Sequence, residues 1–191
     1  ANIGNFNVTT LLRQPGSSIK VVTYAAALSH GFTAATILDD SPVTYTSLGS
    51  PPYSPVNYDG KFHGRMTLRQ ALGNSINIPA IKVLSKIGIP TMVNLAKKMG
   101  ITTWEDPSRY GLAITLGSLD TKMTDMVTVY GVLANGGYRV DLNPILVLTD
   151  SHGNKLEEKK DEKGAKIIDE GVSFIISNIL SDNKAREMEF G

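Results

Sequence analysis

The chain has 191 residues, of which 41% are hydrophobic and 19% are charged, and its formal net charge is +1. This length and apolar content suffice for the core of one domain, or of one large and one small lobe, and they exclude a disordered chain. The balanced charge excludes the basic surface of a nucleic-acid-binding protein, and no apolar stretch reaches the roughly 18 residues of a membrane span. The absence of cysteine excludes disulfides, thiol nucleophiles and thiolate zinc sites.

The first part of the chain predicts a helix followed by a long loop. After an irregular start, Pro15-Gly16 interrupts the chain, and apolar spacing with several alanines favours a helix over Ser17–Ser29. Residues 39–64 are rich in Pro, Ser, Tyr and Gly, which predicts a long surface connection. Within it, Val43–Tyr45 is a candidate short strand.

Proline, threonine and glycine delimit the helices in the middle of the chain. Thr67 is a typical N-cap for a short helix over Leu68–Asn74. Two further helices are predicted over Ala80–Ile87 and Thr91–Met99, because a proline precedes and a glycine follows each one. Residues 102–119 are predicted to be irregular, and another helix begins at Thr121 or Thr124 and ends near Asn135.

The last part of the chain predicts a hairpin and a final helix. Pro144–Asp150 alternates weakly, as a strand does, and a turn leads to a return through Lys155-Leu156. The charge-dense run Lys155–Lys166 indicates a solvated loop or edge. Asp169 is predicted to cap a helix that ends near Leu180, and the remaining tail carries no pattern.

A first candidate site consists of Ser17 and Lys20. The two residues are three positions apart and share one face of a helical turn. A serine hydroxyl becomes a nucleophile only when a base takes its proton, and a lysine can be that base once burial and the helix N-terminus lower its pKa. An N-cap serine beside an exposed lysine explains the same pattern, so this motif alone is not decisive.

A second candidate site consists of Ser75 and Asn77, just before Pro79. From an extended or turn segment the two side chains can point the same way, so the hydroxyl can relay a proton while the amide holds a substrate carbonyl. Helix capping around Pro79 is the alternative interpretation.

With their flanking residues, these motifs resemble the transpeptidase domain of penicillin-binding proteins, in particular that of the bifunctional class, and the resemblance covers nearly the whole chain. The matching segments, in chain order, are Gln14–Lys20, Tyr53–Tyr58, Gly64–Ala71, Leu72–Ala80, Ile114–Ser118 and Ala134–Gly137. The resemblance implies an α-rich α+β fold: the helical lobe of the penicillin-binding protein and serine β-lactamase-like fold, with most of the central sheet missing. Residues 1–191 would then form a partial transpeptidase domain.

The resemblance also implies a role for each matching residue. Ser17 would attack the penultimate D-Ala carbonyl of a peptidoglycan stem peptide, and Lys20 would be the base. Ser75 would pass a proton to the leaving amine, and Asn77 would hold the acyl chain. β-Lactams would trap Ser17 as an ester. No metal, organic cofactor or nucleic acid is implied, and the parent protein would be membrane-anchored at the extracytoplasmic face of a bacterial membrane.

The chain departs from the family because it contains no Lys-Thr-Gly motif. In the family this motif lies on the strand at the edge of the site, beside one of the oxyanion-hole amides. Loss of one such donor typically costs about 10²–10³ in turnover, so we expect this chain alone to be inactive or nearly so. We interpret its two ends as cuts through a longer enzyme, and the apolar surface left uncovered predicts self-association.

Two alternative functions remain open at this stage. A D,D-carboxypeptidase or a serine β-lactamase of the same fold would carry the same motifs and would differ in the rate at which water hydrolyses the acyl-enzyme. A non-catalytic β-lactam-binding piece or sensor is the other alternative, and it differs in whether the isolated chain acylates at all.

The remaining polar and aromatic candidates are predicted to be structural. His30, His63 and His152 lie far apart and without the spacing of metal ligands, which predicts surface or capping roles. Asp39-Asp40 is a candidate carboxylate pair, but its position beside Pro42 favours a cap or turn. Three aromatic residues are candidates to line a peptide cleft, although packing in the core or a loop is their expected role: Tyr53, Trp104 and Tyr110.

Overall fold

The computed structural model describes residues 7–47, 49–159 and 163–191. The helices are α1 (Lys20–Ser29), α2 (Leu68–Gly73), α3 (Asn77–Ile87), α4 (Ile89–Met99), α5 (Met123–Ala134), α6 (Glu170–Ser181) and α7 (Glu187–Phe190). The strands are β1 (Ile37–Asp40), β2 (Tyr45–Ser47), β3 (Ser50–Tyr53), β4 (Gly64–Thr67), β5 (Tyr138–Arg139), β6 (Val147–Thr149), β7 (Lys155–Glu158) and β8 (Ala165–Lys166). Short 3₁₀ helices span Gly16–Ile19, Pro107–Arg109 and Leu112–Leu116.

Helix α1 is the centre of the core. No residue from Lys20 to Leu28 is more than 8% exposed, and the helix packs against α3, α4 and α6. Its alanines, Ala25–Ala27, are small enough for neighbouring helices to approach closely, and a helix that is buried on all sides belongs in the interior of a fold. The first candidate motif therefore leads directly into the most buried element of the protein.

The strands are short and form separate ribbons rather than a central sheet. Among the described residues, four antiparallel two-stranded pairs are present: β1 with β4, β2 with β3, β5 with β8, and β6 with β7. This arrangement agrees with the predicted α-rich fold with little sheet of its own. No helix in the described ranges is long and apolar enough to cross a bilayer.

Several local predictions are confirmed. Thr67 and Gln70 form a reciprocal capping box at the start of α2, and the Asp169 side chain accepts from the Gly171 amide at the start of α6. The hairpin predicted after Pro144 is the β6–β7 ribbon. These signals lie within a few residues of the boundary that they determine, so they can be recognised locally.

Other local predictions are wrong. The loop predicted over residues 39–64 contains two strands, β2 and β3, and β1 pairs with β4 across it. The strand predicted over Val43–Tyr45 corresponds to β2, which begins only at Tyr45. These strands have three or four residues, too few for alternation to be visible. The patternless tail contains α7, and the helix predicted from Ala80 begins earlier, at Asn77.

Candidate active site

A close backbone contact positions Ser17. Gly16 has φ +58 and Gly117 has φ +81, and a Cβ atom added to Gly117 would lie 2.3 Å from the backbone N and O atoms of Gly16. In addition, the Gln14 Nε2 atom donates to the Ser118 carbonyl at 3.2 Å. Only glycine permits both this approach and this conformation, so the turn that carries Ser17 is held against the 116–118 segment.

Lys20 joins the two candidate motifs. Its Nζ atom donates to the Asn77 Oδ1 atom at 2.8 Å, to the Ser75 Oγ atom at 3.2 Å and to the Ser75 carbonyl. Lys20 is 1% exposed. Burial lowers the pKa of Lys20 to about 7, although the nearby Glu189 carboxylate partly opposes this shift. At neutral pH a large share of this amine is therefore uncharged and able to accept a proton.

Ser75 adopts a backbone conformation that is rare for a serine. Its φ is +56, and among the described residues it is the one non-glycine residue with positive φ. Such conformations cost free energy and persist where the surrounding structure holds them. The sequence predicted a turn here, and the structure adds that this turn directs both the hydroxyl and the carbonyl of Ser75 toward Lys20.

The second motif is only partly in a turn. Asn77 was predicted to precede a helix beginning at Ala80, but it is the first residue of α3. Its Nδ2 atom donates to the Val56 carbonyl at 3.0 Å, and its Oδ1 atom therefore faces Lys20. Asn77 thus contacts the lysine directly, which the sequence alone did not indicate.

A cleft of about 250 Å³ brings three of the four candidate residues together. The cleft is lined by Ser17, Lys20 and Ser75. Asn77 does not line the cleft, but it bonds to the Lys20 amine. The other lining residues are Ser18, Val21, Leu72, Gly73, Tyr130, Leu180, Arg186 and Phe190. A larger groove of about 910 Å³ lies away from both motifs, near Lys98 and Arg139. We locate the candidate site in the smaller cleft, because it contains the buried amine and both serines.

Tyr130 belongs to this cleft and was not predicted. Its hydroxyl donates to the Ser18 carbonyl at 3.0 Å, which ties α5 to the turn that carries Ser17. Burial raises the pKa of Tyr130, so the phenol stays neutral and remains a donor. An aromatic residue on a helix is common, and nothing in the local sequence distinguishes this one.

The C-terminal tail closes one side of the cleft. Asn74 holds it in place, because its Nδ2 atom donates to the Ala185 carbonyl at 2.7 Å and its Oδ1 atom accepts from the Glu189 amide at 3.0 Å. This clamp brings Arg186 and Phe190 to the cleft wall, with the guanidinium 4.7 Å from the ring centroid. The same clamp places the Glu189 carboxylate near Lys20.

A buried polar network lies behind the second motif. Asp40 is fully buried, and both of its carboxylate oxygens accept from Asn57 Nδ2 at 2.8 Å. One of them also accepts from the backbone amide and the Nδ1 atom of His63, at 2.8 and 2.7 Å. The predicted cap or turn role of Asp40 is therefore wrong. His63, for which a surface or capping role was predicted, is a partly exposed partner of Asp40. Asp39, by contrast, is an exposed partner of Lys82.

The aromatic candidates divide between core and loop. Trp104 is 2% exposed and belongs to the core, and Tyr110 packs against the same core. Tyr53 ends β3 and does not line the cleft. The packing interpretation is therefore supported for Trp104 and Tyr110.

Comparison with known proteins gives a consistent result. Residues 6–188 match the family model of the penicillin-binding protein transpeptidase domain. The chain is 33% identical over 179 residues to penicillin-binding protein 1A of Rickettsia bellii, a match covering 92% of this chain and 22% of that protein. It therefore spans about a fifth of the length of such curated relatives.

Solved structures agree with the sequence comparison. The fold superposes on penicillin-binding protein 1A from Haemophilus influenzae with a TM-score of 0.85 and 28% identity, covering 98% of this chain and 32% of that one. It also superposes on the Mycobacterium tuberculosis PonA1 protein in complex with penicillin V, with a TM-score of 0.79 and 22% identity, covering 92% of this chain and 48% of that one. The second likeness is one of fold alone.

Proposed function

Because this chain belongs to the penicillin-binding protein transpeptidase domain family, we propose that it forms the nucleophile-bearing part of an enzyme that cross-links peptidoglycan by D,D-transpeptidation. The observation that carries this proposal is the buried Lys20 amine, which has a pKa of about 7, bonds to Ser75 and shares a cleft with Ser17. A nucleophile, a base and a proton relay are the groups that acyl transfer through a serine ester requires.

In the first half of the proposed reaction, the Ser17 hydroxyl oxygen bonds to the carbonyl carbon of the penultimate D-Ala of a stem peptide. Its proton passes to the neutral amine of Lys20. The Lys20 and Ser75 side chains lie 3.2 Å apart, so the proton can continue through the Ser75 hydroxyl to the nitrogen of the terminal D-Ala. The C–N bond breaks, that D-Ala leaves as a free amine, and an ester on Ser17 remains.

In the second half, the amine of another stem peptide attacks the ester carbonyl and releases Ser17. The proton that this amine loses returns to the serine oxygen by the same relay. Asn77 would hold the acyl chain, as the family resemblance implies, while its amide oxygen also orients Lys20. A β-lactam would acylate Ser17 in the same way and remain bound as an ester, and the solved complex of PonA1 with penicillin V supports binding of this ligand class.

A D,D-carboxypeptidase or a serine β-lactamase would use the same first half and transfer the acyl group to water. The rate at which a penicilloyl ester on Ser17 hydrolyses distinguishes these functions from transpeptidation. A half-life of hours supports the transpeptidase, and release within seconds supports a hydrolase.

We further propose that residues 1–191 are part of a transpeptidase domain within a longer, membrane-anchored protein that acts outside the cytoplasm. Because the chain contains no Lys-Thr-Gly motif, it would lack carboxylate recognition and one oxyanion donor, and acylation would be slower by at least about 10²–10³. Self-association through uncovered apolar surface is the other property that we expect of the isolated chain.

The test is intact-mass measurement after incubation with a reactive penicillin. We expect no stoichiometric adduct on the 191-residue chain within an hour, and one adduct on a form extended through a Lys-Thr-Gly strand. Ser17→Ala should abolish that adduct, and Ser18→Ala should retain it as the matched control. Failure of the extended form to label would contradict the proposed function, and rapid labelling of the short chain would contradict the claim that its site is incomplete.

A further inference from the structure

The N-terminus of α3 has no cap from its own segment. The N-cap residue is Ile76, whose side chain cannot accept a hydrogen bond. The first amides of a helix have no partner within the helix, and their burial without one is costly. Here the amides of Asn77 and Ile78 both donate to the Oδ1 atom of Asn57, at 3.0 and 3.2 Å. A side chain 20 positions away therefore supplies the cap.

Asp40 determines which way the Asn57 amide points. An ionised carboxylate only accepts hydrogen bonds, so the Asn57 amide must direct its NH₂ group toward Asp40. The same NH₂ group also donates to the Lys61 carbonyl at 2.8 Å. Because its nitrogen donates to these acceptors, Asn57 can present only its oxygen to α3. A reversed amide would place its NH₂ group against the two N–H donors of α3. Its oxygen would then face the oxygens of Asp40 and Lys61, which are also acceptors.

The same short segment holds Asn77 at a second point. The carbonyl of Val56 accepts from Asn77 Nδ2 at 3.0 Å, next to the residue that caps the Asn77 backbone. With its backbone and its side-chain nitrogen both held, Asn77 directs its Oδ1 atom to Lys20 at 2.8 Å. A continuous set of hydrogen bonds thus runs from the buried Asp40 carboxylate to the amine in the cleft.

We propose that Asn57, oriented by Asp40, is a positioning residue for the site: it holds the start of α3 so that Asn77 and Ser75 keep their contacts with Lys20. The proposal rests on the proposed function for its catalytic meaning, because Asn57 touches none of the reacting atoms. In structural terms, the contacts of Lys20 depend on the orientation of the Asn57 side-chain amide, which lies outside both motifs.

The test follows the titration of Lys20 by NMR of side-chain-labelled lysine, in this chain as it stands. Asn57→Ala removes the cap, so Asn77 moves away and Lys20 loses an acceptor that favours its charged form. We expect the pKa of Lys20 to fall by about one unit. Asp39→Asn is the matched control, because Asp39 neighbours Asp40 but bonds to Lys82 outside the network, and it should leave the titration unchanged.

An exchange of the two polar groups tests the direction of the amide. Asn57→Asp alone sets two buried carboxylates against each other and should destabilise the fold. Combined with Asp40→Asn, the new amide at position 40 can donate to the new carboxylate, which can still accept from α3. The double variant loses the donor to the Lys61 carbonyl, but it should be more stable than Asn57→Asp alone and should bring the Lys20 titration closer to its wild-type value than Asn57→Ala does.

Two results would overturn this inference. One is a folded Asn57→Ala variant in which Lys20 titrates as in the wild type. The other is an exchange variant that is no more stable than Asn57→Asp alone, or whose Lys20 titration is no closer to the wild-type value than that of Asn57→Ala. The stability comparison decides the matter if Asn57→Ala itself fails to fold. The titration requires no acylation, so an extended wild-type form that does not label with penicillin would contradict the proposed function and leave the positioning role standing.

Discussion

The side-chain amine of Lys20 lies 2.8 Å from the amide oxygen of Asn77, although the two residues are 57 positions apart in the sequence. Through this contact and the neighbouring bonds to Ser75, two short motifs become one site. The amine is buried while its contacts are neutral oxygens, so desolvation outweighs the stabilisation of its charge. The result is a lysine that can act as a base near neutral pH.

The pKa of Lys20 gives the first prediction. Burial lowers it to about 7 and the Glu189 carboxylate raises it, so Glu189→Gln should move the titration of Lys20 to lower pH. Only the uncharged amine accepts a proton, so penicillin acylation of a form extended through a Lys-Thr-Gly strand should rise with pH through about 7. Glu189→Gln should shift this rise downward.

Glu187→Gln is the control for that prediction, because it removes the same charge from the same tail. NMR titration of Lys20 and the pH dependence of the acylation rate measure the two quantities separately. A Lys20 that titrates above pH 9, or a shift of equal size in both variants, would contradict the prediction.

The backbone of Ser75 gives the second prediction. A left-handed conformation costs a non-glycine residue about 1–2 kcal/mol, and glycine avoids this cost. Ser75→Gly should therefore be more stable than Ser75→Ala by about 1 kcal/mol, although both lose the hydroxyl. Ser18 lies in the 3₁₀ helix before α1, and there the order should reverse, with Ser18→Ala the more stable. Urea unfolding monitored by circular dichroism measures both pairs.

The contact between Gly117 and Gly16 gives the third prediction. Gly117→Ala would place a Cβ atom 2.3 Å from backbone atoms of Gly16 and force a residue with φ +81 to carry a side chain. We expect a loss of several kcal/mol and displacement of the turn that carries Ser17. Gly131→Ala is the control, because no atom lies within 4 Å of its added Cβ and alanine favours a helix by about 1 kcal/mol. A Gly117→Ala variant as stable as the wild type would contradict this account.

The β6–β7 hairpin gives the fourth prediction. The hairpin and the segment just before it carry several large apolar residues, each at least 41% exposed: Val140, Leu142, Ile145, Leu146, Val147, Leu148 and Leu156. Exposed patches of this kind tend to associate, so the chain should form dimers or larger species by light scattering. Leu146→Lys should reduce association more than Val127→Lys, which changes an exposed residue of α5. A strictly monomeric wild type would contradict the prediction.

Features decided by neighbouring residues could be predicted. The capping box of Thr67, the cap at Asp169 and the hairpin after Pro144 each depend on a few adjacent positions. The start of α3 could not be predicted, because its cap is Asn57 in a distant loop. The same holds for the C-terminal tail. Its position depends on the hydrogen bond from Asn74 to the Ala185 carbonyl, and on Gly73, where a Cβ atom would lie 2.7 Å from that carbonyl oxygen.

The sequence by itself determined the family and the residue types available for chemistry, because Ser17-x-x-Lys20 and Ser75-x-Asn77 occur in a specific order with their flanking segments. Only the tertiary structure decided that these groups meet, and that the lysine lies in the core with a lowered pKa. It also decided that Asp40 is a buried partner of both Asn57 and His63 and not part of a surface turn. The physical reason is that desolvation and hydrogen bonding depend on which segments enclose a side chain, and here those segments are far apart along the chain.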